Sequence, residues 1–192
     1  LNVTGHVDTF ARDNLPPPEH WPEFIFELPE LQFPSRLNCA AELLDRAVAR
    51  GWSNRPCLIG DGVHWTYAQL LDQADRIARV LVEDMGLVSG NRVLLRGANS
   101  PMLAACWFGV VKAGGVAVGS MPLLRAKELT QIVQKARVSH ALCDARLADE
   151  LDKARANCPT LTQVMRFCGS ELESRMVSKG GLFTAVDTAA DD

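Results

Sequence analysis

Several loops that bind phosphate or activate a nucleophile are missing from this sequence. It has no G-x-x-x-x-G-K-[ST] loop, no G-x-G-x-x-G after a strand, no G-x-S-x-G elbow and no H-E-x-x-H pair. Each absence removes a self-contained chemistry: nucleotide cradle, dinucleotide fold, serine hydrolase, zinc protease. The cysteines, at 39, 57, 106, 143, 158 and 168, form no C-x-x-C. Most sit in apolar runs, so they read as reduced thiols of a cytoplasmic protein rather than a disulfide framework. The histidines (His6, His20, His64, His140) show no i, i+4 pairing, and no metal site is expected. A net charge of −3 gives no reason to expect nucleic acid or an anionic membrane as partner. The longest uncharged apolar stretch, Met102 to Val111, falls short of the roughly 20 residues a bilayer requires. Asp8, Arg12 and Asp13 interrupt the N-terminus, which shows no apolar signal-peptide core.

What is present is an ordinary globular balance, 47% apolar and 22% charged residues over a length of 192. That length suffices for one core or a large part of a bigger one. Residues 1–36 hold six of the ten prolines, with Phe10, Trp21, Phe24, Phe26 and Phe33 among them. Proline rules out a regular helix there, and the aromatics argue against a disordered tail. The segment reads as an extended arm with its aromatics buried in surface grooves. Residues 37–192 read as one α/β unit.

Within that unit, helices and strands alternate. A helix over 38–50 starts at Asn38, carries Leu43, Leu44, Ala47 and Val48 on one face, and stops at Gly51. Short strands near 57–59 and 64–65 flank Gly60-Asp61-Gly62 as a hairpin. Thr66 and Gln69 form a capping box for a helix with Leu70, Leu71, Ala74, Ile77, Ala78, Leu81 and Met85 inward, ended by Gly86. A strand at 92–96 leads to Ser100-Pro101 and a helix that is apolar nearly all round, so Trp107 is expected to be buried. Further helices are expected at 125–137 and 147–156, strands at 138–144 and 162–167, and a short helix at ELESRM.

The stretch WFGVVKAGGVAVGSMP, residues 107–122, decides the layout. A phosphate loop runs strand, glycine loop, helix, because phosphate sits on the free N–H groups of a helix start. Here the order is helix, Gly-Gly, strand. Gly114 reads as a left-handed helix cap and Gly115 as a tight joint. Strands alternating with helices imply a doubly wound, mostly parallel sheet with helices on both faces. Ligands then collect at the carboxyl ends of the strands. The loops Gly97–Pro101, Ser120–Arg125 and Asp144–Arg146 fall there, bringing Asn99, Ser100, Ser120, Arg125 and Asp144. Each has a plain alternative: Asn99 and Ser100 as helix caps, Arg125 and Asp144 as solvated loop charges.

Several stretches resemble the AMP-forming adenylating superfamily, the acyl-CoA synthetases and their relatives. WTYAQL (65–70) is similar to the aromatic/Leu-T-Y-x-E-L element, with Gln69 in place of Glu. VVKAGGVAVGSMP (110–122) is similar to L-K-A-G-x-x-x-x-P-x-x-P, and ANSP (98–101) to P-N-S-P. The arm, GHVDTFARDNLPPPEHWPEF, followed by RLNCAAELLD, resembles the start of bacterial aryl-CoA ligases, among them the 2-aminobenzoate–CoA ligases.

The resemblance implies the N-terminal subdomain of the adenylating-enzyme fold, with the rest of the ligase chain as its partner. It implies an enzyme that uses ATP and Mg to convert an aromatic carboxylate, 2-aminobenzoate or benzoate, to an acyl-adenylate and then to a coenzyme A thioester. The family's T-S-G-T-T-G-x-P-K loop, its later adenine, ribose and aryl-pocket segments and its C-terminal lysine have no counterpart here. The segment by itself is therefore expected to be inactive, with no catalytic residue of its own and no tight hold on these cofactors. Lys112 matches the Lys of the K-A-G element, which implies a coenzyme A phosphate contact; a charge complementing the helix C-terminus is the competing role. A non-enzymatic α/β binding or scaffold module is the alternative function. A nucleotide-binding oxidoreductase is disfavoured, since no Gly-rich strand-to-helix loop exists.

Overall fold

The computed structural model describes every residue except Leu1, Asp61 and Ser170. Asp61 of the expected Gly60-Asp61-Gly62 turn thus lies outside the described residues.

After a single helical turn at Phe10–Asp13 in the arm, Asn38 opens the first long helical stretch, α1 (39–52), its Oδ1 accepting from the N–H groups of Ala40 and Ala41 at 3.1 and 3.3 Å. Gly51, at φ +87°, breaks the helical path. Leu44 and Ala47 turn inward as expected, but Leu43 faces solvent, because α1 touches the core along a narrow stripe. β1 (Pro56–Gly60) and β2 (Val63–Thr66) pair antiparallel as the hairpin. The Thr66–Gln69 capping box forms, with bonds of 2.9 and 3.3 Å, and starts α2 (Tyr67–Arg79), which runs on through a wider turn at Val80–Asp84. All seven apolar positions expected inward on this helix are buried.

β3 (Arg92–Arg96), α3 (Pro101–Lys112), β4 (Val116–Ser120), α4 (Ala126–Lys135), β5 (His140–Asp144), α5 (Ala148–Arg155), β6 (Gln163–Phe167) and α6 (Glu171–Met176) follow in order. The four later strands form one parallel sheet in the order β4-β3-β5-β6. Strand alternation divides the side chains between two cores. Val93, Leu95, Leu142, Met165 and Phe167 meet α2, α3 and α6 on one face. Leu94, Ala141 and Cys143 meet α4 and α5 on the other. Helices therefore cover both faces, as the alternation of elements implied. α3 lies close on α2 because Gly109 has no side chain: a Cβ there would sit 2.6 Å from Ile77 Cγ2.

The arm differs from expectation. Phe10 is held, its ring under the guanidinium groups of Arg92 and Arg137 at 4.7 and 4.8 Å. Phe24, Phe26 and Phe33 are not buried in grooves; each is more than half exposed. They meet one another instead: Phe24 stacks on Phe26 with centroids 6.1 Å apart, and Phe33 meets Phe26 edge-on at 6.2 Å. Turns that begin with proline, Pro18–His20 and Pro29–Leu31, interrupt this part of the chain and bury no residue. Both ends of the arm are tied down. Arg12 pairs with Asp191 and Asp192 at 3.2 and 2.8 Å, and Arg36 bridges to Ala189.

Candidate functional site

The loops at the carboxyl ends of the strands do converge, but only part of the expected set meets. A cavity of about 590 Å³ lies between the ends of β3 and β4 and the first turns of α3. Asn99, Ser100 and Ser120 line it, with Leu95, Leu103, Trp107, Met121 and Pro122 as apolar walls. Ser100 Oγ accepts from Leu103 N at 3.2 Å, so it caps α3 and also faces the cavity. Ser120 Oγ donates to Leu95 O at 3.3 Å.

Arg125 and Asp144 stand apart from this cavity. Arg125 is exposed and pairs loosely with Glu150 at 3.7 Å. Asp144 is not a solvated loop charge: it is buried, and Arg146 clamps it through Nε and Nη2 at 3.0 and 2.6 Å. The Arg146 guanidinium holds the Asp144 carboxyl below its ordinary value, against the opposing effect of burial. Cys168, exposed at the end of β6, donates to the same carboxylate at 3.5 Å, and partial desolvation together with the Asp144 charge pushes its thiol up.

Trp107 corrects the layer assignment. Its side chain is 38% exposed, because that side of α3 faces the cavity rather than another layer. Its ring meets Phe108 edge-on at 5.1 Å.

The Gly-Gly joint is a cap. Gly114 has φ +76°, its N–H donates to Val111 O at 3.0 Å, and Gly115 N–H donates to Val110 O at 2.8 Å. Both donors are taken by α3 itself and are not available to a phosphate.

Lys112 has no exposed surface. Its ammonium donates to Asp45 Oδ1 at 2.8 Å and to Asp75 Oδ1. Its charge is met by carboxylates from α1 and α2, and in this arrangement it offers no face to a coenzyme A phosphate.

Sequence reasoning passed over Arg96. Charged and at a strand end, it reads as a surface residue, yet it is 1% exposed. It ends β3, the strand beside which the strand order reverses, and its side chain reaches main-chain carbonyls of the β4–α4 turn and of the segment after β5.

A family model described as AMP-binding enzyme matches residues 45–184. The chain belongs to this family. Among curated relatives, a long-chain-fatty-acid–CoA ligase of Escherichia coli O157:H7 is 24% identical over 153 residues, covering 80% of this chain and 27% of that protein. Among solved structures, the anthranilate CoA ligase AuaEII in complex with anthranoyl-AMP superposes with a TM-score of 0.77 at 22% identity. It covers 83% of this chain and 31% of its own. A benzoate CoA ligase from Burkholderia xenovorans LB400 gives 0.72 at 21% identity, covering 81% and 31%. The chain thus spans about a quarter to a third of the length of these relatives, and its fold is that of the N-terminal subdomain of adenylating enzymes.

Proposed function

We propose that this segment is the N-terminal part of an AMP-forming aryl-CoA ligase. In the whole enzyme, a carboxylate oxygen of 2-aminobenzoate or a related benzoate attacks the α-phosphate of ATP, with Mg bound, and pyrophosphate leaves. The thiol of coenzyme A then displaces AMP and forms the thioester. The observation that carries the aromatic substrate is the backbone likeness to two aryl-CoA ligases, over four-fifths of this chain in each. The arm sequence, resembling the same branch, supports it independently.

This segment supplies scaffold and edge loops. Its Gly-Gly donors are spent on a helix cap and the ammonium of Lys112 on carboxylates, so no preorganised donor set for a transferring phosphate is built from them. A second reading, a fatty-acyl ligase, draws on the sequence relative from Escherichia coli O157:H7. Steady-state turnover by the full-length protein separates the two. With ATP, Mg and coenzyme A, AMP release should be faster with 2-aminobenzoate or benzoate than with hexadecanoate. The reverse order would reject the aryl assignment, and no turnover with any acid would favour a non-enzymatic module.

A further inference from the structure

Arg96 is a buried cation whose recorded partners are all neutral. Its Nε donates to Leu147 O at 3.1 Å, Nη1 to Met121 O at 3.2 Å, and Nη2 to Pro122 O and Leu124 O at 3.1 and 3.0 Å. Every acceptor is a main-chain carbonyl, none a carboxylate. Removing a guanidinium from water without a counter-ion is costly, and an apolar side chain would fill a sheet position at less expense. The core therefore gives no reason for an arginine here. Leu94, on the same face of β3, shows what that core accepts.

What the arginine does is hold a loop. The carbonyls come from the turn between β4 and α4 and from the segment after β5. Leu124 anchors the far end of the turn against the core on the α4 and α5 side, but the residues before it have little else to fix them. Met121 and Leu123 are 63% and 82% exposed, and the one main-chain bond recorded within it is Leu124 N to Met121 O at 3.2 Å. Met121 and Pro122, whose carbonyls Arg96 grips from the α4 side, form a wall of the cavity that opens on the α3 side. A guanidinium suits this task because its planar fork meets several acceptors at fixed angles, which an ammonium on a flexible stem does not.

We infer that Arg96 is a positioning residue for the ligand edge: its fork fixes the Met121–Leu124 turn, and through it the opening of the cavity beside β3 and β4. The fork matters, rather than the charge. This holds whatever the substrate; only the turnover readout below rests on the ligase assignment.

The test compares wild type, Arg96→Lys and Arg96→Met in the full-length enzyme. Amide hydrogen exchange at Leu124 and Arg125, whose N–H groups are bonded to Met121 O and Glu128 Oε2, should rise about tenfold or more in both variants, while α2 and β5 keep their protection. Arg96→Lys keeps the charge but loses the planar fork, so it should fail to restore the turn. In turnover, kcat should fall about tenfold in both, with KM for acid, ATP and coenzyme A within about twofold, as expected for lost positioning. Pro122→Gly loosens the same turn with Arg96 intact and should reproduce the kcat loss, which keeps the test alive if Arg96→Met fails to fold. Unchanged exchange in the turn would overturn the proposal. So would an Arg96→Lys enzyme indistinguishable from wild type, or faster exchange with kcat untouched. If the wild type turned over no aromatic acid, the substrate assignment would fail, and exchange alone would still decide the role of Arg96.

Discussion

The ammonium of Lys112, in the last turn of α3, and the carboxylate of Asp75, in α2, close on each other inside the protein, at 0% and 2% exposure. Asp45 of α1 joins them at 2.8 Å through one oxygen, while its other oxygen is buried with no partner. The main-chain carbonyl of Lys112 takes the N–H of Val186 at 2.9 Å. Three helices and the returning chain therefore meet at one residue.

Lys112→Ala leaves two carboxylates facing each other without a cation. Loss of one partner of a buried pair typically costs about 3–5 kcal/mol. Urea unfolding of the 192-residue chain should show a midpoint lowered to match. The double variant Lys112→Met, Asp75→Leu should recover much of the loss, since an apolar pair carries no desolvation penalty. A midpoint unchanged by Lys112→Ala would show that the ammonium is free.

Burial pushes the Asp75 carboxyl above its ordinary value, and Lys112 only partly offsets this. A raised acid pKa means that the folded chain binds the proton more tightly than the unfolded chain. That contribution is fully present below the unfolded value of about 3.8 and is lost as pH rises through the folded value. Relative to Asp75→Asn, the wild type should gain stability as pH falls from 7 toward 4. Thermal melts of both proteins across that range give the comparison, and parallel curves would contradict it.

Gly114→Val places a side chain where φ is +76° and where a Cβ lies 2.9 Å from Val186 Cγ1 and 3.0 Å from Ser89 Cβ. The left-handed backbone alone costs about 1–2 kcal/mol, and the branched side chain adds to it. Stability should fall, while full-length molecules that still fold keep near-normal affinity for ATP. A stable variant that loses ATP would make the Gly-Gly pair a phosphate loop after all.

Trp107→Ala should cost clearly less than the roughly 3–5 kcal/mol of a fully buried indole, because more than a third of this side chain faces solvent. A urea midpoint lowered by the full amount would return Trp107 to the interior.

The order of elements was legible because each one announces its ends locally. Thr66 and Gln69, Ser100-Pro101 and Gly114 are read from neighbours only a few residues away. Burial along α2 was legible because its apolar stripe has a single face. α3 was not, because an apolar residue on every side does not say which side lacks a partner; Trp107 is that side. The arm aromatics misled for the same reason. Arg96 was hidden by the opposite error: a charged residue at a strand end reads as exposed, and only tertiary structure brings carbonyls from two distant loops to it. Lys112 carried a family signature, but its carboxylate partners lie 67 and 37 residues away and no local pattern links them.

The 192-residue chain, incubated with ATP, Mg, 2-aminobenzoate and coenzyme A, should produce no AMP above background. Its Gly-Gly donors and Lys112 ammonium are already engaged, and transition-state charge on a phosphate needs donors held ready. AMP production by this chain would place the chemistry inside it.

The most direct test is exchange of labelled pyrophosphate into ATP by the full-length protein, with coenzyme A left out. Reversible adenylate formation requires only acid, ATP and Mg. An aryl-CoA ligase should drive exchange when 2-aminobenzoate or benzoate is added and show none without acid. Exchange supported by hexadecanoate alone, or no exchange with any carboxylate, would contradict the assignment.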